Sequence, residues 1–137
     1  IGIAQRYIKE SNGFKEAEEI HFSNLIGGGA VISNANDMCK WCQALLNGDQ
    51  LPDNYELLWS TGYLNSGERT NYGLGMGISS YNNLTYYYHP GMGSGMNSVN
   101  MIFPDKDIAL VVIRNISKPE FTSIEIATTI IDNLFEN

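Results

Sequence analysis

The chain has 137 residues, 43% of them hydrophobic and 17% charged, with 8 basic against 15 acidic side chains for a net charge of −7. That length suits one domain with one hydrophobic core, and that balance excludes a disordered chain. An acidic chain without a Lys/Arg cluster is a poor nucleic-acid binder, because phosphate neutralisation supplies most of that affinity, and no apolar run is long enough to span a bilayer.

The first residue is Ile1, and no basic-then-apolar leader follows it. The expectation is a processed product or a piece of a longer protein. The stretch "GIAQRYIKE" has strand character, which Ser11-Asn12-Gly13 breaks. "NLIGGGAVIS" follows, with Gly27, Gly28 and Gly29 in a row, a backbone able to turn sharply or to pack against a neighbour.

From Ala35 to Asn47 the spacing predicts a helix. Met38, Trp41, Cys42, Leu45 and Leu46 form one apolar stripe, Ser33 or Asn34 can cap the start, Asp37 sits in the first turn, and Gly48 follows the end. Residues 49–70 read as loop, with a short helix around Tyr55–Trp59. The period then changes to two. Segments 72–79, 84–90, 97–103 and 107–115 read as four strands of an antiparallel meander, with turns at Asn82-Asn83 and over 104–107. The apolar run from Ile108 to Ile113 predicts a strand covered on both faces. Pro119 opens a last helix whose apolar face is Ile124, Ala127, Ile131, Leu134 and Phe135. The fold class is α+β, an antiparallel sheet with the C-terminal helix packed on it, in a single domain over residues 1–137.

The densest run of unusual residues is "HPGMGSGMNS", His89 to Ser98. As a phosphate loop it fails, because a strand follows the glycines where a helix N-terminus is needed. The pair Cys39 and Cys42 matches a bare thioredoxin spacing. However, Cys39 lies beyond the first turn of its helix and Cys42 falls on the apolar stripe, so both read as small buried hydrophobes. A redox reading would require an acidic Cys39 thiol. With His21 and His89 distant in sequence, no zinc spacing exists, and no metal or other cofactor is expected. The triplets Tyr63-Leu64-Asn65 and Tyr81-Asn82-Asn83 are expected by chance in a chain with 8 tyrosines. His21 reads as a surface histidine. His89 differs from it by its place at a strand end, directly before a backbone without side-chain bulk. There a substrate can approach closely and N–H donors are available.

Three segments, in order, resemble the C-terminal part of the penicillin-recognising, β-lactamase-like serine hydrolases: class C β-lactamases, DD-peptidases and related esterases. They are "SNANDMCKWCQALLNG" (33–48), "YGLGMGI" (72–78) and "HPGMGSGMNSVNMIFPDKDIALVVIRN" (89–115). The resemblance implies a partial β-lactamase/transpeptidase-like fold and acyl-enzyme chemistry on an amide or ester, such as a β-lactam, a D-Ala peptide or a simple ester. It implies that His89-Pro90-Gly91 is the His-x-Gly form of the third family motif. His89, Gly91 and Met92 then form the catalytic wall, with the Met92 N–H as one oxyanion donor, and Pro90, Gly93 and Ser94 lie at the substrate-binding margin. It also implies a small-molecule or peptide substrate for the full-length parent, no nucleic-acid partner, and a periplasmic or secreted location by analogy.

The departures from the family pattern matter equally. No Ser-x-x-Lys occurs in these residues, and neither Tyr-x-Asn triplet stands where the second motif belongs. The chain is therefore expected to be the C-terminal segment of a longer enzyme and inactive by itself. Its alternative is a non-catalytic binding or regulatory module on the same scaffold. Pro90 lacks the hydroxyl that its family counterpart offers a substrate carboxylate, Glu120 would repel one, and a histidine is not held charged at neutral pH as a lysine is. These points favour an esterase-like or peptidase-like member. A sheet of late strands alone is also expected to self-associate through an open edge.

Overall fold

The computed structural model describes residues 2–48 and 53–135, so part of the expected loop, residues 49–52, lies outside the described residues. The chain divides into two compact units. The first draws on Ile1–Ala35, Pro90–Val99 and Val112–Asn137, and the second on Asn36–His89 and Asn100–Val111.

The first unit starts with a hairpin, β1 (Tyr7–Glu10) and β2 (Gly13–Glu16), paired antiparallel from Tyr7 opposite Glu16 to Glu10 opposite Gly13. The break at Ser11-Asn12-Gly13 is thus the turn of a hairpin, with Gly13 at φ 137°. The triple glycine that follows is exposed, with Gly27 at φ 80°, and a side chain at Gly27 or Gly29 would meet open space, so the run serves as a turn.

Helix α1 runs Ala35–Asn47, the bounds its spacing predicts, and Gly48 ends it at φ 72°. Within the second unit Cys42 and Leu45 are buried in a cluster with Leu58, Met76 and Ile102, against which Leu46, Trp59, Tyr87, Ala109 and Val111 pack. Trp41, expected on this stripe, is 51% exposed. It lies one residue before Cys42, at the margin of the apolar arc. Helix α2 is a single turn, Tyr55–Leu58.

Four strands form the larger sheet: β3 (Gly77–Tyr81), β4 (Leu84–Gly93), β5 (Met96–Phe103) and β6 (Ile108–Arg114), in that order. It is the expected antiparallel meander. Asn82 and Asn83 both take positive φ, 46° and 65°, the backbone of a two-residue hairpin turn that matches strand twist. The turn after β5 is a 3₁₀ turn over Pro104–Lys106 that Asp107 ends in the left-handed region.

Two strand expectations need correction. The segment 72–76 is not strand. Gly73 donates its N–H to the Met76 carbonyl at 2.8 Å, Gly75 takes φ 80°, and a Cβ on Gly73 would stand 2.4 Å from the Ser60 carbonyl oxygen. Glycines placed for a reverse turn and a close backbone approach had the look of small strand residues. In addition, β6 is not covered on both faces: Ile108–Val112 are half-buried and Ile113 is exposed. It is the last strand of its sheet, so its apolar run reflects partial rather than full burial.

A two-residue strand, β7 (Ile116–Ser117), pairs parallel with β1, and the order of the small sheet is β2-β1-β7. Helix α3 then begins at Ser123, four residues later than Pro119 suggested, and ends at Phe135. Its start is a capping box. The Thr122 hydroxyl accepts the Glu125 N–H (3.2 Å), while Glu125 Oε2 accepts the Thr122 N–H (2.6 Å) and hydroxyl (2.8 Å). Those bonds, the backbone one foremost, hold the Glu125 carboxyl below its ordinary range. Ala127 and Ile131 are buried, whereas Leu134 is exposed. The helix is tied to β5 through Asn97, whose buried Oδ1 accepts the Ser123 N–H at 2.6 Å.

Two outcomes follow from this packing. Burial first, and the neighbouring Cys39 second, push the Cys42 thiol up to about 11. An acid with a raised folded-state pKa stabilises the fold below its unfolded value and loses that contribution as the pH climbs. The melting temperature should therefore fall as pH rises from about 9 towards 11, and Cys42→Ala, though less stable at pH 7, should show a flatter alkaline limb. Melts at stepped pH check this; parallel limbs in the two proteins would refute it. The second outcome concerns Gly95 and Gly67, which share a left-handed backbone, φ 71° and 83°. A Cβ on Gly67 meets nothing within 4 Å, whereas one on Gly95 would stand 2.5 Å from Arg6 Cβ. Gly67→Ala should cost about 1 kcal/mol through strain alone, and Gly95→Ala about 2–4 kcal/mol with overpacking added, as read by urea denaturation.

Candidate functional site

The site expected from the sequence lies along the second half of β4. Leu84 to Tyr88 is rich in residues that favour a pleated strand, and the Asn82-Asn83 turn sets its register against β3. That pairing runs from Tyr81 opposite Leu84 to Gly77 opposite Tyr88, and stops there. From His89 onward, β3 no longer covers β4.

Strand alternation sorts the side chains. Tyr87, His89, Gly91 and Gly93 share one face; Tyr86, Tyr88, Pro90 and Met92 share the other. Aromatic packing in the second unit agrees. On the first face Tyr87 packs on Trp59, with centroids 4.6 Å apart, and its hydroxyl donates to the Trp59 carbonyl at 3.0 Å. Burial raises the Tyr87 phenol above its ordinary range. On the second face Tyr86 stacks on Phe103 at 5.1 Å and meets Tyr88 at 5.5 Å.

At its far end β4 turns into β5 through Ser94-Gly95. A two-residue loop makes Gly93 and Met96 the hydrogen-bonded pair that closes it. Gly93 therefore faces its N–H and C=O to β5, and Met92 faces its own away from β5. Pro90, the next residue of that outward set, has no N–H. Within residues 90–93 of β4, Met92 is thus the residue whose N–H this pairing turns away from β5. Its side chain is 85% exposed.

The glycines of this run each have a steric reason. A Cβ on Gly95 would stand 2.9 Å from both the Ala17 Cβ and the Tyr7 nitrogen, so the turn sits directly on the first hairpin. Arg6 fastens it there, donating to the Ser94 carbonyl at 2.9 Å and to the Glu18 carbonyl at 2.8 Å. A Cβ on Gly93 would stand 2.9 Å from Met96 Cε, and one on Gly91 would stand 2.4 Å from Ser98 Oγ. The space over Gly91 is occupied by a serine hydroxyl.

His89 and Pro90 are exposed, and Gly91, Gly93 and Ser94 are half-buried. Tyr72 meets the His89 ring edge-on, with centroids 6.3 Å apart. Glu120, expected to repel a substrate carboxylate, pairs with Lys9 at 3.5 Å, both side chains being solvent-exposed. Arg6, Tyr72 and Ser98 are the residues that sequence reading missed. Tyr72 opens the Tyr-Gly-Leu-Gly segment, which is the one signal that could have drawn attention to it.

The remaining candidates fall away from this strand. Cys39 and Cys42 are free thiols, the second buried with its pKa raised, the opposite of an activated thiolate. His21 is exposed, its Nδ1 2.6 Å from Ser23 Oγ. No cluster of three metal-binding side chains occurs among the described residues. Two cavities, of about 430 Å³ beside Tyr7, Phe14 and Ile113 and about 300 Å³ beside Cys39, Gln43 and Asp107, include none of residues 89–94 in their lining.

Comparison with known proteins agrees with this architecture. No curated protein matches the chain. The family model described as beta-lactamase matches residues 4–133, nearly the whole chain, from before β1 to the last turn of α3. With the mixed α/β content, the four-stranded antiparallel sheet and the C-terminal helix, that match decides the family: the chain belongs to the β-lactamase family, on a serine-hydrolase-like scaffold.

Proposed function

We propose that this chain is the C-terminal segment of a serine hydrolase that works through an acyl-enzyme on an ester or amide, and that β4 from His89 to Met92 is one wall of its active site. What supports this reading is the two-residue Ser94-Gly95 turn, which by hairpin geometry directs the Met92 N–H away from β5, at a point where the β3 pairing has already ended at Tyr88. A backbone donor so placed can hold the oxyanion that forms when a nucleophile attacks a carbonyl, an interaction whose loss typically costs about 3–4 kcal/mol in the barrier. His89, on the opposite face of the strand from the Met92 side chain, supplies an imidazole that can orient the substrate or move a proton. The serine attacks the carbonyl carbon, the acyl–oxygen or acyl–nitrogen bond breaks, and water later releases the acid. That serine and its lysine lie outside these residues, since no Ser-x-x-Lys occurs here.

Among members of such a family, an esterase or peptidase fits better than an enzyme for carboxylate-bearing β-lactams. Pro90 offers no hydroxyl for a carboxylate, and Glu120 adds negative charge that Lys9 offsets only across an exposed pair. The same missing nucleophile motivates a second reading, a binding module on this scaffold.

The test uses the product of the complete gene. His89→Ala should lower kcat/KM for a p-nitrophenyl ester by roughly 10²-fold, the range of one general acid–base group. Labelling by a fluorophosphonate should slow in parallel, and residues 1–137 alone should not be labelled at all. Unchanged turnover and labelling in the variant would remove His89 from the site. A gene product without a Ser-x-x-Lys, inert to the label, would favour the binding module.

A further inference from the structure

His89 is exposed, and among the described residues no hydrogen bond or ion pair holds its imidazole. A ring that is to orient a substrate needs something to orient it. Among the described residues its ring meets one other, that of Tyr72, edge-on at 6.3 Å and 69°.

Tyr72 is itself firmly held. Its carbonyl accepts two hydrogen bonds, from the Gly62 N–H at 2.9 Å and the Thr70 hydroxyl at 2.8 Å. Its backbone is bridged to Gly77, and Gly77 lies opposite Tyr88, the neighbour of His89. The turn that follows it is tightened by the Gly73 N–H bond to the Met76 carbonyl, and Met76 is buried in the core cluster. The backbone at position 72 is thus fixed, while the side chain it carries is 46% exposed. The ring that this backbone holds meets the His89 imidazole edge-on.

We infer that Tyr72 is a positioning residue for His89: its ring, and not its hydroxyl, sets the orientation of the imidazole at the wall of the site. The inference rests on the functional reading of His89 given above, but the contact itself is tested independently of activity. An edge-on pair acts through ring shape and quadrupole, so phenylalanine can replace tyrosine and leucine cannot.

The experiment is proton NMR on the 137-residue chain, in which two histidines make assignment simple. His21→Gln identifies the His89 ring resonances. In the unsubstituted chain, His89 ring protons should show a ring-current displacement from their position in urea, and NOEs to the Tyr72 ring. Tyr72→Phe should keep the displacement, and Tyr72→Leu should abolish it. In the complete gene product, Tyr72→Leu should lower kcat for a p-nitrophenyl ester by roughly tenfold with KM within about twofold, and Tyr72→Phe should restore it. A displacement that survives Tyr72→Leu, or that Tyr72→Phe also abolishes, overturns the inference. Should Tyr72→Leu not fold, absence of the Tyr72–His89 NOE in the unsubstituted chain does so. If the NOE is present and His89→Ala leaves turnover unchanged, it is the functional reading of His89 that fails.

Discussion

The seat of Gly95 on the first hairpin is the contact on which the end of β4, the proposed wall, depends. A hydrogen in place of a side chain lets the Ser94-Gly95 turn approach the backbone of Tyr7 and the Cβ atoms of Arg6 and Ala17 closer than any other residue would permit. Arg6 locks the approach through the Ser94 carbonyl. The turn is thereby fixed at two residues, and a two-residue turn dictates which backbone groups of β4 face β5 and which face away. A slip of one residue would turn the Met92 N–H inward and exchange the faces of His89 and Met92. Three glycines that resemble a flexible loop are thus the means of holding a strand in one register.

Each of the two units has its own way of staying closed. The second unit does so with side chains: a thiol, three aliphatic or sulfur-bearing residues from α1, α2 and the turn before β3, and an isoleucine from β5. Aromatic rings extend it from Tyr55 through Trp59 to Tyr87. The first unit relies more on directed polar contacts. Arg6 serves two carbonyls, Asn97 serves the Ser123 N–H in a buried setting, and Thr122 and Glu125 cap α3 reciprocally. The buried bond between Asn97 and the Ser123 N–H in particular specifies one arrangement, because any other leaves a donor without an acceptor. For the function proposed above, a strand end held in this way suits a backbone oxyanion donor, since such a donor acts by being in place before charge develops.

What sequence reading captured and what it missed divide along physical lines. Helix α1 was legible to the residue, because its apolar spacing, its first-turn Asp37 and its terminal Gly48 are all local signals. The Asn82-Asn83 hairpin was legible for the same reason. The late start of α3 was also written locally, as Thr122-x-x-Glu125, but Pro119 offered an equally acceptable first position. By contrast, the turn at 72–76 depends on Gly73 meeting the Ser60 carbonyl, a neighbour that no window around residue 73 contains. The exposure of Trp41 and Ile113 depends on what lies outside their own elements.

The site follows the same division. The sequence by itself determined the β-lactamase-like family and the α+β class, and it singled out the run proposed as the wall, His89 to Met92, because these rest on residue order and short spacings. Only the tertiary structure decided that Ser98 fills the space over Gly91, that Arg6 holds the Ser94 carbonyl, and that Tyr72 stands against His89. Those pairs are separated by 7, 88 and 17 positions along the chain. Contacts between residues so far apart arise from how strands and turns pack in space, and local sequence patterns carry no record of them.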